Sequence, residues 1–338
     1  MTTPTRYRVG ATYAILGIVL VVAMLIALGV GEVSIPASEA WRAFVGRFGI
    51  GEGSTTEGVF WSIRMPRVVA GALVGATLGA AGAALQGVYR NPMADPYLLG
   101  ISSAAGLGVV IGIALTPAGG IPILVMGVAA ATGALFALFT RRVSKATVDP
   151  ARFILVGVAL GLALLAWTVL FVFAWDSPRL PTFAYFVFGS LAATTRKAVW
   201  SALPFLVGGL AMVAILTRQL DLLALGDREA RHLGVSVDRV VGAVLVGTGI
   251  AVGASVGLAG VIGFVGLLAP LFVRRWVGPS HRTLLPASAL AGATAVVLAD
   301  VLARLIAGPV EVPIGIVTAA IGGPILVWML VRTKGSTT

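Results

Sequence analysis

Cysteine is absent from the 338 residues, histidine occurs twice, lysine three times, and charged residues of every kind make up only 11%. Without cysteine there is no disulfide, thiolate metal site or cysteine nucleophile. His232 and His281 alone are too few imidazoles for a metal cluster, and no constellation of catalytic residues stands out. A nucleotide-binding P-loop needs GxxxxGK[ST], and none of Lys145, Lys197 and Lys334 follows a glycine. The chain therefore has no ATP-hydrolysing site of that kind and must take energy from a partner or an ion gradient. Scarce charge, with 58% hydrophobic residues and a mean hydropathy of +1.02, excludes a water-soluble globule, which carries roughly 25% charged and 45–50% apolar residues.

Long apolar runs are what is present. Charge-free windows cover 9–31, 68–89, 96–140, 153–175, 198–217, 240–273, 283–299 and 312–331, and one helix crossing the hydrocarbon takes ~20 residues, range ~17–25. Six windows hold one helix each. The 96–140 window breaks at Thr116-Pro117-Ala118-Gly119-Gly120-Ile121-Pro122 and holds two. The 240–273 window is too long for one span and too short for two full ones, so it predicts two short or partly re-entrant helices, or one long helix. The apolar run at the N-terminus, about 22 residues, exceeds a ~7–15-residue signal core and reads as a retained first span.

Charge sorting favours ten spans with both termini inside. Twenty-four basic residues against 13 acidic give a net charge of +11, which in a soluble chain would suggest nucleic acid. Ten spans place sixteen of the basic residues inside, among them Arg90, Arg141, Arg218, Arg239 and Arg274, and eight outside: Arg42, Arg47, Arg64, Arg67, Arg179, Arg196, Lys197 and Arg304. Nine spans would make that thirteen against eleven and erase the positive-inside bias. The expected fold is therefore an all-α membrane protein of about ten transmembrane helices, a single domain over residues 1–338, with no nucleic-acid partner.

Several segments are more particular. Arg67-Val68-Val69…Leu73-Val74-Gly75 recurs as Arg239-Val240-Val241…Leu245-Val246-Gly247, six identities in nine positions, starting outside in one copy and inside in the other. This is either an inverted-topology repeat of the kind transporters use or chance in a Gly/Ala/Val-rich background. Arg64-Met65-Pro66-Arg67 sets proline at a helix start with arginines facing water, as docking residues or ordinary boundary arginines. Asn91-Pro92-Met93-Ala94-Asp95-Pro96 ends one helix in a compact turn. In residues 220–235, Asp227 is a candidate N-cap, Glu229 lies in the first turn, Arg231 is four residues after Asp227, and Gly234 can close the helix. That predicts a short helix outside the bilayer whose flanking leucines, including Leu225 and Leu233, need a partner surface.

Together with Gly260-Val261-Ile262-Gly263-Phe264-Val265-Gly266…Pro270 and Ala299-Asp300…Arg304…Glu311-Val312-Pro313, these segments resemble the permease family of binding-protein-dependent ABC importers for ferric siderophores, haem and cobalamin, over about residues 60–330. The resemblance implies a homodimeric permease with the substrate path on the two-fold axis. Two separate ATPase subunits, which bind the ATP and Mg, would sit inside, and a substrate-binding protein outside. It implies binding-protein docking by Arg64, Arg67 and Arg304, and a cytoplasmic constriction at Asn91 and Met93. It also implies ATPase coupling through Leu225, Gly226, Asp227, Arg228, Glu229, Ala230, Arg231, Leu233 and Gly234. Asp300 and Arg304, four apart, can instead satisfy each other. Leu271 departs from the family's histidine after the proline, and Thr194-Thr195-Arg196-Lys197 is more basic than the family pattern.

This reading expects a multi-pass protein of the bacterial plasma membrane with no resident cofactor or metal, moving a ferric siderophore, with cobalamin or haem as alternatives. A gradient-driven transporter would keep ionisable groups in mid-span, and the windows contain none. A passive channel would need a ring of charge, also not seen.

Overall fold

The computed structural model describes residues 6–31, 36–46, 57–116, 122–146, 150–174, 187–307 and 312–334, and among these every regular element is a helix. In chain order they are α1 (Arg6–Gly29), α2 (Ala37–Gly46) and α3 (Glu57–Val59), which runs through a π-helical turn (Phe60–Arg64) into α4 (Met65–Tyr89). Then come α5 (Ile101–Ala114), α6 (Pro122–Ala146), α7 (Pro150–Ala174), α8 (Arg196–Ala214) and two short helices, α9 (Thr217–Leu223) and α10 (Asp227–His232). The chain ends with α11 (Val237–Ala259), α12 (Val265–Val277), α13 (His281–Ala307) and α14 (Ile314–Lys334).

Every charge-free window carries helix, and the 240–273 window splits into the 23-residue α11 and the 13-residue α12. Seven helices among the described residues have the length and apolarity to cross a membrane: α1, the continuous α3–α4, α6, α7, α8, α11 and α13. At ~1.5 Å per residue α5 and α12 reach only about 20 Å of a core about 30 Å thick, so length alone does not count them as spans. Each follows a buried non-helical segment: Asp95, Leu99 and Gly100 before α5, Ile262 before α12. Each also starts at a left-handed residue, Gly100 (φ 77°) and Phe264 (φ 67°). Irregular backbone is tolerated at membrane depth only where protein buries it.

The centre is built on missing side chains. A Cβ at Gly75, Gly79 or Gly82 of α4 would lie 2.2 Å from Gly292 O, 2.1 Å from Ser288 O and 1.8 Å from Gly266 O. Backbones of α4, α13 and α12 therefore touch directly, the mode by which helices associate where lipid removes the hydrophobic driving force. On α11, a Cβ at Gly253 would meet Ala129 O of α6 at 2.3 Å. The two copies of the repeated stretch run in opposite directions. Arg67 at the start of α4 meets Asp300 near the end of α13, whereas Asp238 at the start of α11 pairs with Arg141 near the end of α6. α4 lies on α13, α11 and α12, and α11 lies on α6, α8, α4 and α5.

Pro66 lies at the start of α4 as expected, but that start is not the beginning of the helical segment. It sits in the first turn of α4 inside a helix continuous from Glu57. The π-turn before it accommodates a residue that lacks N–H and crowds the carbonyl four residues back.

Gly82→Ala is predicted to destabilise the detergent-solubilised protein by about 1–3 kcal/mol through overpacking against Gly266. Gly208→Ala, with nothing within 4 Å of the added methyl, leaves stability unchanged or slightly raised. Thermal unfolding of the two variants checks this, and equal effects would contradict the packing.

Candidate functional site

At one end of the helix bundle Arg64, Arg67 and Arg304 gather around Asp300. They do not project into water as the sequence suggested: Arg64 is 7% exposed, Arg67 9% and Asp300 2%. Arg67 binds Asp300 at 2.9 Å and Arg304 binds the same carboxylate at 2.8 Å, so Asp300 serves the arginine 233 positions away as well as its neighbour four residues on. Arg64 Nη1 donates to Leu28 O (2.6 Å) and Gly29 O (3.0 Å), and Arg304 Nη1 to Ala27 O (3.0 Å) and Val30 O. Those acceptors are the open carbonyls at the C-terminus of α1, the negative end of its dipole, which draws cations in from the surface. Among the described residues three arginines and the carboxylate of Asp300 make up this cluster. Arg196 and Lys197, at the start of α8 on the same end, are exposed, and Thr195 caps that helix by accepting from Ala198 N (3.2 Å). Arg47, Arg179 and Glu311 lie outside the described residues.

At the opposite end, Arg90 terminates α4 in the left-handed conformation (φ 47°) and opens the turn. Asn91 Oδ1 accepts from Met93 N (2.9 Å), and buried Asp95 accepts from Tyr97 N (2.8 Å) and Leu98 N (3.3 Å). Two consecutive Asx turns fix this segment, while Asn91 and Met93 themselves stay half-buried. Leu271, also half-buried, follows Pro270 inside α12.

The segment at 220–235 is two short helices, α9 and α10. Gly226 is the N-cap of α10, in place of the expected Asp227. Its φ of 121° is open to glycine, and the Asp227 carboxylate, freed from capping, binds Arg90 at 2.8 Å instead of Arg231. Gly234 (φ 82°) closes the helix as expected: Gly234 N donates to Arg231 O (3.0 Å) and Val235 N to Ala230 O (2.9 Å), a Schellman pair. Ala230 is buried against the bundle, Arg228, Glu229 and Arg231 are exposed, and Leu225 and Leu233 are 61% and 58% exposed.

Three contacts at this end were not anticipated. Asp221 of α9 accepts from His281 N (2.6 Å) and Ser280 Oγ (2.7 Å) and lies 2.7 Å from His281 Nδ1, tying α9 to the start of α13. Burial alone would push the Asp221 carboxyl up, but those hydrogen bonds outweigh it and hold it below the usual carboxylate range. Arg274 donates to Gln86 Oε1 (2.8 Å), joining α12 to α4. Arg90–Asp227 links the Asn91 turn to α10. These partners are 59 to 188 positions apart, and no local spacing announces them.

A small-residue membrane bundle with a cation cluster at one end and a short helix bearing exposed leucines at the other matches a known class. The profile of the FecCD transport family covers residues 19–332, and the chain belongs to that family: it is the permease subunit of a type II ABC importer. It is 39% identical over 324 residues to the vitamin B12 import system permease protein BtuC of Klebsiella pneumoniae, covering 95% of this chain and 93% of that one. Identity is 38% to BtuC of Escherichia coli O17:K52:H18, covering 93% and 94%. It is also 38% to the uncharacterised ABC transporter permease protein YvrB of Bacillus subtilis, covering 93% and 91%. A solved structure described as an inward-facing conformation of a metal-chelate type ABC transporter matches with a TM-score of 0.75 and 28% identity, over 96% of this chain and 99% of that one. Membership implies an ATPase and a binding protein as partners.

Asp300→Ala is predicted to cost about 3–5 kcal/mol, because Arg67 and Arg304 lose their buried carboxylate together. Asp227→Ala, which breaks the Arg90 pair exposed at 45% and 50%, costs at most about 1 kcal/mol. Chemical unfolding in detergent measures both, and comparable losses would contradict the burial of the cluster.

Proposed function

We propose that this permease passes a bulky metal chelate into the cytoplasm of a bacterium, with cobalamin as its cargo. The observation that carries this reading is the 38–39% identity over 93–95% of the chain to permeases named for vitamin B12 import. The ferric siderophore expected from the family's prevalence is the second reading, favoured by the wider metal-chelate description of the solved relative. Haem has less support: His232 lies in α10 and His281 is 4% exposed at the base of α13, so neither is offered to a cargo as a ligand.

In this reading the arginine-cluster end faces outward and the short-helix end faces the cytoplasm with both termini, in the plasma membrane, with ten crossings in all. Exposed Arg196 and Lys197 give this end a basic field, set beside Arg64, Arg67 and Arg304. Such a field orients an acidic face of the binding protein more than it tightens docking. Two copies of the chain meet through exposed apolar faces of α7 and α14, where Trp167 is 64% and Val327 60% exposed. The ATPase seats on α10 through Leu225 and Leu233, and its movement reaches the Asn91–Met93 constriction through the Asp227–Arg90 pair.

Equilibrium binding of radiolabelled cobalamin, ferric siderophores and haem to the cognate binding protein, followed by uptake into vesicles holding the whole complex, tests the cargo. Cobalamin is expected to bind tightly and accumulate. Tight binding and uptake of a ferric siderophore with none of cobalamin would overturn the first reading in favour of the second.

A further inference from the structure

Two buried polar side chains bracket the Asn91 turn and reach the same residue of α12. Gln86 lies in the last turn of α4, and Asp95 closes the segment ahead of α5; they are 3% and 2% exposed. Leu267 is the third residue of α12, so its N–H is one of the amides that a helix start leaves without an intrahelical acceptor. Phe264, the N-cap, supplies no side-chain cap. The Asp95 carboxylate takes that role from another part of the chain. It accepts from Leu267 N as well as from Tyr97 N and Leu98 N, and its charge lies at the positive end of the α12 dipole. Gly266 leaves room for it, since a Cβ there would lie 2.7 Å from Asp95 Oδ2. From the other side of the turn Gln86 Nε2 donates to Leu267 O (3.3 Å). Gln86 Oε1 accepts from Arg274 (2.8 Å), about two helical turns further along α12.

We infer that Gln86 and Asp95 are positioning residues of the cytoplasmic constriction: they clamp both ends of residues 87–94 to the amide and carbonyl of Leu267, so that Asn91 and Met93 take their place from α12. The two Asx turns give the segment its local shape, and the clamp sets where that shape sits in the bundle. Its hydrogen bonds are buried, so a partner that is removed leaves a polar group that water does not reach. The Arg90–Asp227 pair holds the same segment but is exposed, and exposed ion pairs are weak. The clamp is therefore the stronger hold, and the constriction keeps its place only while the end of α4, the turn and the start of α12 stay together. The inference rests on the reading of Asn91 and Met93 as that constriction, and it is independent of the cargo.

The test makes two measurements on the permease assembled with its ATPase. Hydrogen exchange followed by mass spectrometry reads the hold on residues 87–94 directly. Release of carboxyfluorescein from loaded vesicles without ATP, per assembled complex, reads the constriction, and a loss of stability alone would lower the amount of complex without making each complex leak. Gln86→Leu removes side-chain contacts with α12 and none within the turn. It is expected to speed exchange in 87–94 a few-fold, the weight of a neutral hydrogen bond, and Asp95→Ala roughly tenfold or more, that of a hydrogen bond to a charged group. Both are expected to release the dye faster than the parent. Should Asp95→Ala fail to fold, Gln86→Leu carries the test alone. Unchanged exchange in 87–94 of Gln86→Leu would overturn the clamp, because the turn would then hold itself. Faster exchange with no added release of dye would keep the clamp and overturn the reading of Asn91 and Met93 as the constriction.

Discussion

Direct backbone contact between α4 and its neighbours is the constraint on which the rest of this structure depends. Lipid tails are as apolar as leucine, so these helices gain little by hiding apolar side chains from their surroundings, and cohesion comes from close approach. Gly75, Gly79 and Gly82 on one side and Gly266, Ser288 and Gly292 on the other let α4, α12 and α13 touch at backbone distance. Gly253 does the same for α11 on α6. α4 and α11 also pack on each other, so the glycine contacts join one continuous core.

Among the described residues the ion pairs lie towards the two ends of the bundle. The buried carboxylate of Asp300 draws Arg67 and Arg304 inward, and Arg64 and Arg304 close the C-terminus of α1. The cluster is therefore a structural clasp between α1, α4 and α13. At the other end the polar contacts run between elements: Arg90 with Asp227, Arg141 with Asp238, and Asp221 with His281. Each ties a span terminus to a short helix or to another span, which is the connectivity required if energy enters through α10.

The helices were legible because their signal is compositional: charge-free windows mark all the long helices, and the proline–glycine break before Pro122 separates α5 from α6. The Schellman end at Gly234 was legible because a left-handed closing residue favours glycine. What escaped was long-range. Nothing near Arg67 in sequence shows that Asp300 lies beside it, so arginines flanking a proline at a span end read as solvent-facing. Asp227 carries every mark of an N-cap, yet Gly226 takes that position and the carboxylate goes to Arg90. The shortness of α12 was half visible, since a 34-residue window cannot hold two full crossings, but the left-handed turn at Phe264 has no glycine to announce it.

The central claim is that a chain with no P-loop and no Asp, Glu, Lys, Arg or His within its charge-free windows moves its cargo on energy delivered by an ATPase partner. Uptake into vesicles containing this permease, its ATPase and its binding protein, with proton and sodium gradients collapsed by ionophores, tests it most directly. The account predicts that uptake requires ATP and the ATPase subunit and is unaffected by the ionophores. Uptake by the permease alone, driven by an ion gradient and abolished when that gradient collapses, would contradict it.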